Sequence, residues 1–220
     1  MDIVNYKVLI SNLPVRQQCF GTKRMTWKKA EGKIVWLKQL NDKLFGGEEA
    51  LFISRQDIFD TTNLRKKILK TIYWGYTSGM RGNHFVDLLR DMEQIERNLD
   101  RLLNTSNPTI SNLDGLIHAF KNIKGLGLST YSKLLYFTGI AFEEYPSLIL
   151  DQQLINVFAS KTYVQFAAIS GINDYNKEQK YFEYLKIMDQ LPARLETAGE
   201  NIEHFIFTFG GNLKVMPNTE

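Results

Sequence analysis

Apolar side chains recur every three or four residues along most of the chain, the spacing that places them on one face of an α-helix. The clearest example is the segment 84–103, where apolar and charged positions alternate at this period. Only residues 6–10 combine β-branched and aromatic side chains in a strand-like run, which Pro14 ends. Helices are predicted for residues 26–44, 61–77, 84–103, 111–122, 128–137, 151–159, 176–195 and 201–209. The pattern therefore predicts an all-α fold with at most a short N-terminal strand.

The segment 105–108, Thr-Ser-Asn-Pro, interrupts this helical pattern and has the composition of a linker. A length of 220 residues is sufficient for one sizeable hydrophobic core. We therefore expect a single domain over residues 1–220, with two lobes that meet near residues 104–110.

Composition narrows the class of protein. Apolar residues make up 44% of the chain and charged residues 23%, as in ordinary globular domains. The single cysteine, Cys19, excludes an internal disulfide, a thiolate zinc site and a cysteine-ligated iron–sulfur cluster. The longest apolar run, residues 134–142, is too short to span a bilayer, and no signal-peptide pattern is present. We expect a cytoplasmic monomer with no membrane partner.

Charge is unevenly distributed, although the net charge is only +3. Residues 1–43 contain nine basic and three acidic side chains, whereas residues 176–220 contain five basic and seven acidic ones. The segment 121–133 contains three lysines and no acidic residue. A polyanion would bind the two basic regions, residues 1–43 and residues 121–133. The alternative is that they are simply solvated helix faces.

Two glycines, Gly125 and Gly127, lie between two predicted helices. Glycine permits a tight turn and lets a ligand approach the backbone closely. The first N–H groups of the second helix have no helical acceptors and attract anions. Three lysines add positive charge nearby: Lys121, Lys124 and Lys133. The segment therefore favours a phosphate site. The alternative is a corner between helices in which a glycine only caps the first helix.

The pattern around these glycines resembles the helix-hairpin-helix motif of DNA-binding proteins, here over residues 113–138. A dinucleotide fingerprint does not fit, because a helix precedes the glycines and a third glycine is missing. Further along, an apolar run after Pro146 ends at Asp151, which opens a helix. This arrangement resembles the helix-hairpin-helix DNA glycosylase superfamily, most closely the 8-oxoguanine DNA glycosylase-like fold without an iron–sulfur cluster. The resemblance covers residues 116–158 well and the remainder loosely.

The resemblance implies a two-lobed protein that binds double-stranded DNA and hydrolyses the N-glycosidic bond of a damaged or modified base. Asp151 matches the catalytic aspartate of the superfamily. A carboxylate there would stabilise the positive charge that develops on the sugar. The alternative role for Asp151 is a helix N-cap, and both roles can hold at once. The expected DNA contacts are Lys124, Gly125, Leu126, Gly127, Ser129, Thr130 and Lys133.

Ser129 stands at the position where the bifunctional members carry a nucleophilic lysine. The resemblance therefore implies hydrolysis by water, with Asp151 and Ser129 as the catalytic residues, rather than lyase chemistry through a lysine. Lys133 lies one helical turn further along on the same face and is the alternative nucleophile. Ser129 and Asp151 are 22 positions apart, a longer spacing than is usual in the superfamily.

A glycosylase must also hold its extruded base, commonly against aromatic side chains. The candidates for a base pocket or a duplex wedge are Tyr73, Trp74, Tyr76 and His204. Core packing is the alternative, and it is strongest for Trp74. No spacing predicts a metal site, and no cofactor is expected, although a monovalent cation at the hairpin backbone stays open. Two other functions stay open as well: a non-catalytic DNA-binding module on the same fold, and a helical interaction protein.

Overall fold

Helices dominate the computed structural model, which describes residues 1–213. The all-α class predicted from the sequence is confirmed. Twelve α-helices lie within these residues: α1 (Lys7–Ser11), α2 (Arg24–Glu31), α3 (Val35–Phe45), α4 (Arg55–Phe59), α5 (Leu64–Gly75), α6 (His84–Arg90), α7 (Met92–Leu103), α8 (Ile110–Phe120), α9 (Leu128–Thr138), α10 (Gln152–Ala159), α11 (Tyr181–Leu195) and α12 (Gly199–Phe205). Three 3-10 turns and one π-helical turn accompany them: Ile3–Tyr6, Val15–Gln17, Val164–Ile169 and Ile206–Gly210.

The helices form where the sequence carries an apolar stripe. In α7 the buried side chains follow one another at intervals of three or four residues: Met92, Ile95, Leu99 and Leu102. The helix predicted over residues 84–103 is broken at Asp91, whose backbone leaves helical values (φ −95°, ψ 13°). The helix predicted over residues 26–44 is likewise divided, by residues 32–34.

The strand predicted for residues 6–10 is wrong. That segment contains the end of the first 3-10 turn and most of α1. Ile3 and Ile10 are completely buried, and α1 packs against α11 and α12. Packing of these apolar side chains against the C-terminal helices therefore overrides the local preference for a strand.

Four short strands form two antiparallel sheets: β1 (Cys19–Lys23) with β2 (Ala50–Ser54), and β3 (Ala141–Phe142) with β4 (Tyr145–Pro146). Cys19 lies opposite Ser54 in the first sheet, which packs against α5. Thr22 Oγ1 donates a hydrogen bond to the backbone oxygen of Thr77, just beyond that helix (2.9 Å). This contact brings Phe20 of β1 close to the C-terminal end of α5.

A single cluster of buried apolar side chains extends from Ile3 to Ile206. The predicted linker, residues 105–108, lies in the loop between α7 and α8. Leu102 and Leu113, on the two sides of that loop, belong to the same cluster. The described residues therefore share a hydrophobic core, and a division into two lobes stays a prediction.

The boundary between the last two predicted helices agrees with the structure, because α11 ends at Leu195 and α12 begins at Gly199. Helix α11 continues through Pro192 and ends before Glu196, which adopts a left-handed conformation (φ 50°). After α12 the backbone widens into the π-helical turn, which carries Phe207. Such turns are rare and are frequent at functional sites. No helix in residues 1–213 has the length and apolar character that a membrane span requires.

Candidate active site

The two glycines of the predicted hairpin have different physical roles. Gly125 has φ 86°, and a Cβ atom there would lie 2.8 Å from Cβ and 2.9 Å from the backbone oxygen of His84. Any larger residue at position 125 would therefore be strained and would collide with the first residue of α6. Gly127 has φ −76°, and a Cβ there would meet no atom within 4 Å. Gly127 is exposed, so the surface above it is free for a ligand.

The turn from α8 to α9 is fastened by Thr130. Its hydroxyl donates to the backbone oxygen of Gly125 (2.9 Å) and accepts from the hydroxyl of Tyr76 (2.7 Å). Leu126 is buried in the core, so only its backbone can face a ligand, whereas Lys124 is exposed. The N-terminus of α9 therefore has a fixed backbone with a lysine beside it.

Lys133 is buried on α9 and lies beside Asp151. Its ammonium nitrogen donates to the backbone oxygen of Ser129 (2.8 Å) and to the Ser129 hydroxyl (3.2 Å). The same nitrogen lies 3.7 Å from Asp151 Oδ2, and the side chains of Lys133 and Asp151 are 6% and 14% exposed. Because Lys133 follows Ser129 by one helical turn, the two residues share one face of α9.

Gly75, the last residue of α5, makes room for this lysine. A Cβ atom at position 75 would lie 2.9 Å from Cδ and 3.1 Å from Cε of Lys133. The stem of the lysine therefore packs directly on the glycine. The ammonium group of Lys133 can take its position only because residue 75, in the neighbouring helix α5, is a glycine.

Asp151 is the N-cap of α10 and also the partner of Lys133. Its Oδ1 atom accepts hydrogen bonds from the backbone nitrogens of Gln153 (3.0 Å) and Leu154 (3.3 Å). The helix N-terminus stabilises the ionised carboxylate. Oδ2 is the oxygen that faces Lys133. The two roles considered for Asp151 from the sequence are therefore compatible in one side chain.

A cavity of about 210 Å³ opens beside this pair. Its lining residues come from five separate segments of the chain: Phe20, Trp74, Gly75, Thr77, Lys133, Asp151 and Phe207. The Phe20 ring lies 5.1 Å from the Trp74 ring and 6.5 Å from the Phe207 ring, measured between centroids. Three aromatic side chains thus line the same cavity as a lysine and a carboxylate.

Larger hollows lie elsewhere on the described chain. One of about 350 Å³ includes Arg16 and Glu200, and another of about 540 Å³ includes Lys23 and Lys28. Neither contains the pair formed by Lys133 and Asp151. The smaller cavity is therefore the better candidate for chemistry.

The structure separates the four predicted pocket residues. Trp74 lines the cavity, and Tyr76 lies next to it with its hydroxyl bonded to Thr130. Tyr73 is completely buried, stacks on Trp27 with centroids 4.4 Å apart and donates to the side-chain oxygen of Asn41 (2.7 Å). Tyr73 is therefore a core residue.

His204 is buried on α12 and does not line the cavity beside Lys133. Burial, together with the positive charge of Arg55, lowers the pKa of His204 to about 4. The side chain is thus neutral near pH 7, and its Nδ1 atom has no hydrogen-bond partner among the described residues. These properties identify a structural histidine rather than a proton donor to the cavity.

Sequence reasoning missed four residues of the cavity wall: Phe20, Gly75, Thr77 and Phe207. Phe20 lies on β1, which had not been predicted, and Phe207 lies in the π-helical turn. No three metal-binding side chains come together within residues 1–213.

The fold and the site together define a helical protein in which a turn between two helices sets a lysine and an aspartate beside an aromatic cavity. Residues 13–207 match the family model described as "Putative 8-oxoguanine DNA glycosylase OGG-like protein". Because this match covers most of the chain, the chain belongs to that family. The match confirms the resemblance to the helix-hairpin-helix glycosylases. The chain matches no curated protein and no solved structure.

Proposed function

We propose that this chain is a DNA glycosylase that removes a damaged base from double-stranded DNA, with 8-oxoguanine as the first substrate to test. One observation carries the proposal: Lys133 Nζ lies 3.7 Å from Asp151 Oδ2 on the wall of an aromatic cavity. An enzyme that acts on a base must extrude it and stack it in a pocket. The family description supplies the class of base.

Asp151 would stabilise the transition state. Cleavage of the bond between base and deoxyribose places positive charge on the sugar, and a fixed carboxylate lowers the energy of that charge. The two backbone N–H groups that bind Oδ1 keep the carboxylate in place, so little reorganisation is required during the reaction.

Lys133 would supply the nucleophile. The ammonium group first gives one proton to water, and the resulting amine nitrogen attacks C1′ of the deoxyribose while the C1′–N bond breaks and its electron pair leaves with the base. A second proton passes from the nitrogen to the departing base. The C1′–O4′ bond then breaks as O4′ takes a proton from water, and the nitrogen lone pair forms the C=N bond of a Schiff base that water later cleaves. Lys133 lines the cavity and Ser129 does not, which favours the lysine as the nucleophile.

Hydrolysis by water, implied by the serine at position 129, is the alternative route in the same pocket. Asp151 would then orient and activate the water, and Lys133 would only hold the carboxylate. The two routes differ in one intermediate, because only the lysine route forms a covalent enzyme–DNA adduct.

DNA would be held at the turn between α8 and α9. The exposed Gly127, the backbone at the start of α9 and Lys124 form a site suited to one phosphate of the duplex. Tyr76 lies beside this turn and would act as the wedge. Duplex binding, a cytoplasmic location and a monomeric state belong to this proposal.

A non-catalytic DNA-binding module is the second candidate function. The ammonium group of Lys133 already has acceptors in Ser129 and a counter-ion in Asp151, so the pair can be a purely structural contact. Such a module would bind the duplex through the same turn and leave the base in place.

Excision assays separate these functions. The substrates are duplexes with 8-oxoguanine, uracil, hypoxanthine or an alkylated base, and the variant is Asp151→Asn, which keeps the N-cap but removes the charge. We expect 8-oxoguanine to be released and the rate in Asp151→Asn to fall by roughly 100-fold or more. Excision that continues unchanged in Asp151→Asn would refute the role of the carboxylate. Duplex binding without any excision would support the module.

A further inference from the structure

Arg55, the first residue of α4, is a completely buried arginine. Its guanidinium donates to both carboxylate oxygens of Glu203 (2.7 and 3.3 Å) and to Gln18 Oε1 (2.7 Å). The Tyr136 hydroxyl accepts a further hydrogen bond (3.1 Å). Burial disfavours the charged form, but the nearby charge of Glu203 outweighs this effect and raises the pKa of Arg55. Arg55 is therefore a fixed positive charge with all its partners in place.

Arg55 contacts two segments that line the cavity on the side of β1 and α5, one through Trp74 and one through Gln18. The guanidinium carbon lies 5.2 Å from the centre of the Trp74 ring, which lines the cavity. Gln18 precedes the cavity residue Phe20 by two positions, and its backbone oxygen accepts from the Trp74 indole nitrogen (3.3 Å). Arg55 and Gln18 thus hold Trp74 by its face and by its edge.

The other two contacts reach the segments that carry Lys133 and Phe207. Tyr136 follows Lys133 by three positions on α9, and its ring centre lies 5.2 Å from the guanidinium carbon of Arg55. Glu203 on α12 precedes Phe207 by four positions. One guanidinium therefore touches each of the four segments that supply Phe20, Trp74, Lys133 and Phe207 to the cavity.

Stability alone does not account for this arrangement. A buried ion pair repays the cost of desolvation poorly, and apolar side chains of similar volume often serve as well or better. A fork of five N–H donors in one plane, however, fixes the relative positions of several partners at once. Geometry is therefore the better explanation for a buried arginine between four segments.

We propose that Arg55 is a positioning residue that holds four of the five segments lining the cavity in register. This inference rests on the proposed function, because the cavity is the site proposed to receive the base. Arg55 itself does not line the cavity. It acts through Trp74, Tyr136 and Glu203.

The chain contains a matched control. Arg65 on α5 also pairs through two hydrogen bonds with a glutamate, Glu96, and its guanidinium carbon also lies near a tryptophan ring, 5.1 Å from the centre of Trp36. This second pair is partly exposed and does not line the cavity beside Lys133. Arg65→Lys therefore makes the same chemical change in a different place.

Fluorine NMR on protein labelled with 5-fluorotryptophan tests the geometry without requiring any reaction. The chain has three tryptophans, Trp27, Trp36 and Trp74, so three resonances are expected, each assigned by a Trp→Phe variant. In Arg55→Lys we expect the Trp74 resonance to move while that of Trp36 stays. In Arg65→Lys we expect the reverse. A Trp74 resonance that is unchanged in folded Arg55→Lys overturns the proposal.

Single-turnover excision of 8-oxoguanine tests the consequence. We expect Arg55→Lys to lower the rate by roughly 100-fold, since misplacement by about 1 Å has effects of this size. Duplex affinity and the fraction of molecules that react should stay unchanged, whereas a loss of folded protein would lower that fraction and leave the rate as it was. Arg65→Lys should react as the wild type does. Excision at the wild-type rate in Arg55→Lys overturns the proposal.

Glu203→Gln covers the case in which Arg55→Lys does not fold, because it keeps the shape of the side chain and removes only its charge. The same shift of Trp74 and a slower excision are expected, and an unchanged resonance and rate overturn the proposal. If the wild-type protein excises none of the bases, the proposed function fails on its own. The tryptophan resonances then still decide whether Arg55 positions the cavity wall.

Discussion

Single residues decide how the candidate site is built. Asp151 uses one carboxylate oxygen to cap α10 and the other to face Lys133. Asp151 could be predicted because it opens a helix after an apolar run and, in the resemblance to the glycosylase superfamily, matches the catalytic aspartate. Lys133 was only an alternative, since its position differs from that of the nucleophilic lysine in related enzymes. Contact between Lys133 and Asp151 depends on how α9 and α10 pack, which no local pattern records.

Gly75→Ala is the sharpest substitution at this scale. The new methyl group would lie 2.9 Å from Cδ of Lys133 and displace the lysine stem. Alanine favours helices over glycine by about 1 kcal/mol, so the protein should stay folded. We expect single-turnover excision to slow by roughly 10-fold or more with an unchanged melting temperature or a higher one.

Gly115→Ala is the control for this change. Gly115 is also helical, and a Cβ atom there would meet nothing within 4 Å. Wild-type excision is expected in this variant. Equal rates in Gly75→Ala and Gly115→Ala would show that the placement of Lys133 does not matter.

At the scale of elements, the turn between α8 and α9 contains two glycines with different roles. We expect Gly125 to matter for folding and Gly127 to matter for DNA binding. The sequence predicted this turn and both helices, because glycine spacing and an apolar stripe are local signals. It did not predict the sheet of β1 and β2 or the π-helical turn. These elements depend on partners distant in the sequence, and they carry Phe20 and Phe207. The base-facing wall was therefore only partly predictable.

Substitutions of the two glycines of this turn should affect different properties, the stability of the fold for Gly125 and the affinity for the duplex for Gly127. Gly125→Ala places a methyl group against His84 at a positive φ, so we expect the free energy of unfolding to fall by about 1–3 kcal/mol. Gly127→Val occupies open surface at an ordinary φ, so we expect unfolding to change by about 1 kcal/mol or less. Duplex affinity should fall clearly in the second variant, as measured by fluorescence anisotropy.

Gly171→Val provides the comparison for Gly127→Val, since position 171 is also open and belongs to a different loop, between the 3-10 turn Val164–Ile169 and α11. Its duplex affinity is expected to equal that of the wild type. If Gly127→Val binds the duplex as tightly as Gly171→Val, the turn is a corner between helices and not a phosphate site.

At the scale of the whole molecule, one continuous hydrophobic core holds together the distant segments that line the candidate site. The helical class could be predicted from periodicity, and the presence of one sizeable core from chain length and composition. All three are properties of many residues at once. The buried pair of Arg55 and Glu203 could not be predicted, because the two residues are 148 positions apart and each looks like an ordinary surface charge in the sequence. Only packing shows that both are buried.

Acid should weaken the folded state through His204. Its pKa is about 4 in the folded protein and about 6.5 when unperturbed, so between these values the unfolded chain binds more protons. The free energy of unfolding should therefore fall as the pH decreases from about 6.5 towards 4. We expect this fall to be smaller in His204→Gln, measured by urea unfolding at several pH values. Exposed His118 gives the control, and equal pH dependence in His118→Gln and His204→Gln would contradict the assignment.

The most direct test of the account is reductive trapping on a duplex with a preformed abasic site, which does not depend on the identity of the base. Sodium borohydride converts a Schiff base into a stable bond between protein and DNA, and mass spectrometry locates the modified lysine. We predict an adduct at Lys133 that is lost in Lys133→Gln and kept in Lys161→Gln, an exposed lysine just after α10. An adduct at another lysine, or excision of 8-oxoguanine that persists in Lys133→Gln without any adduct, would contradict the account.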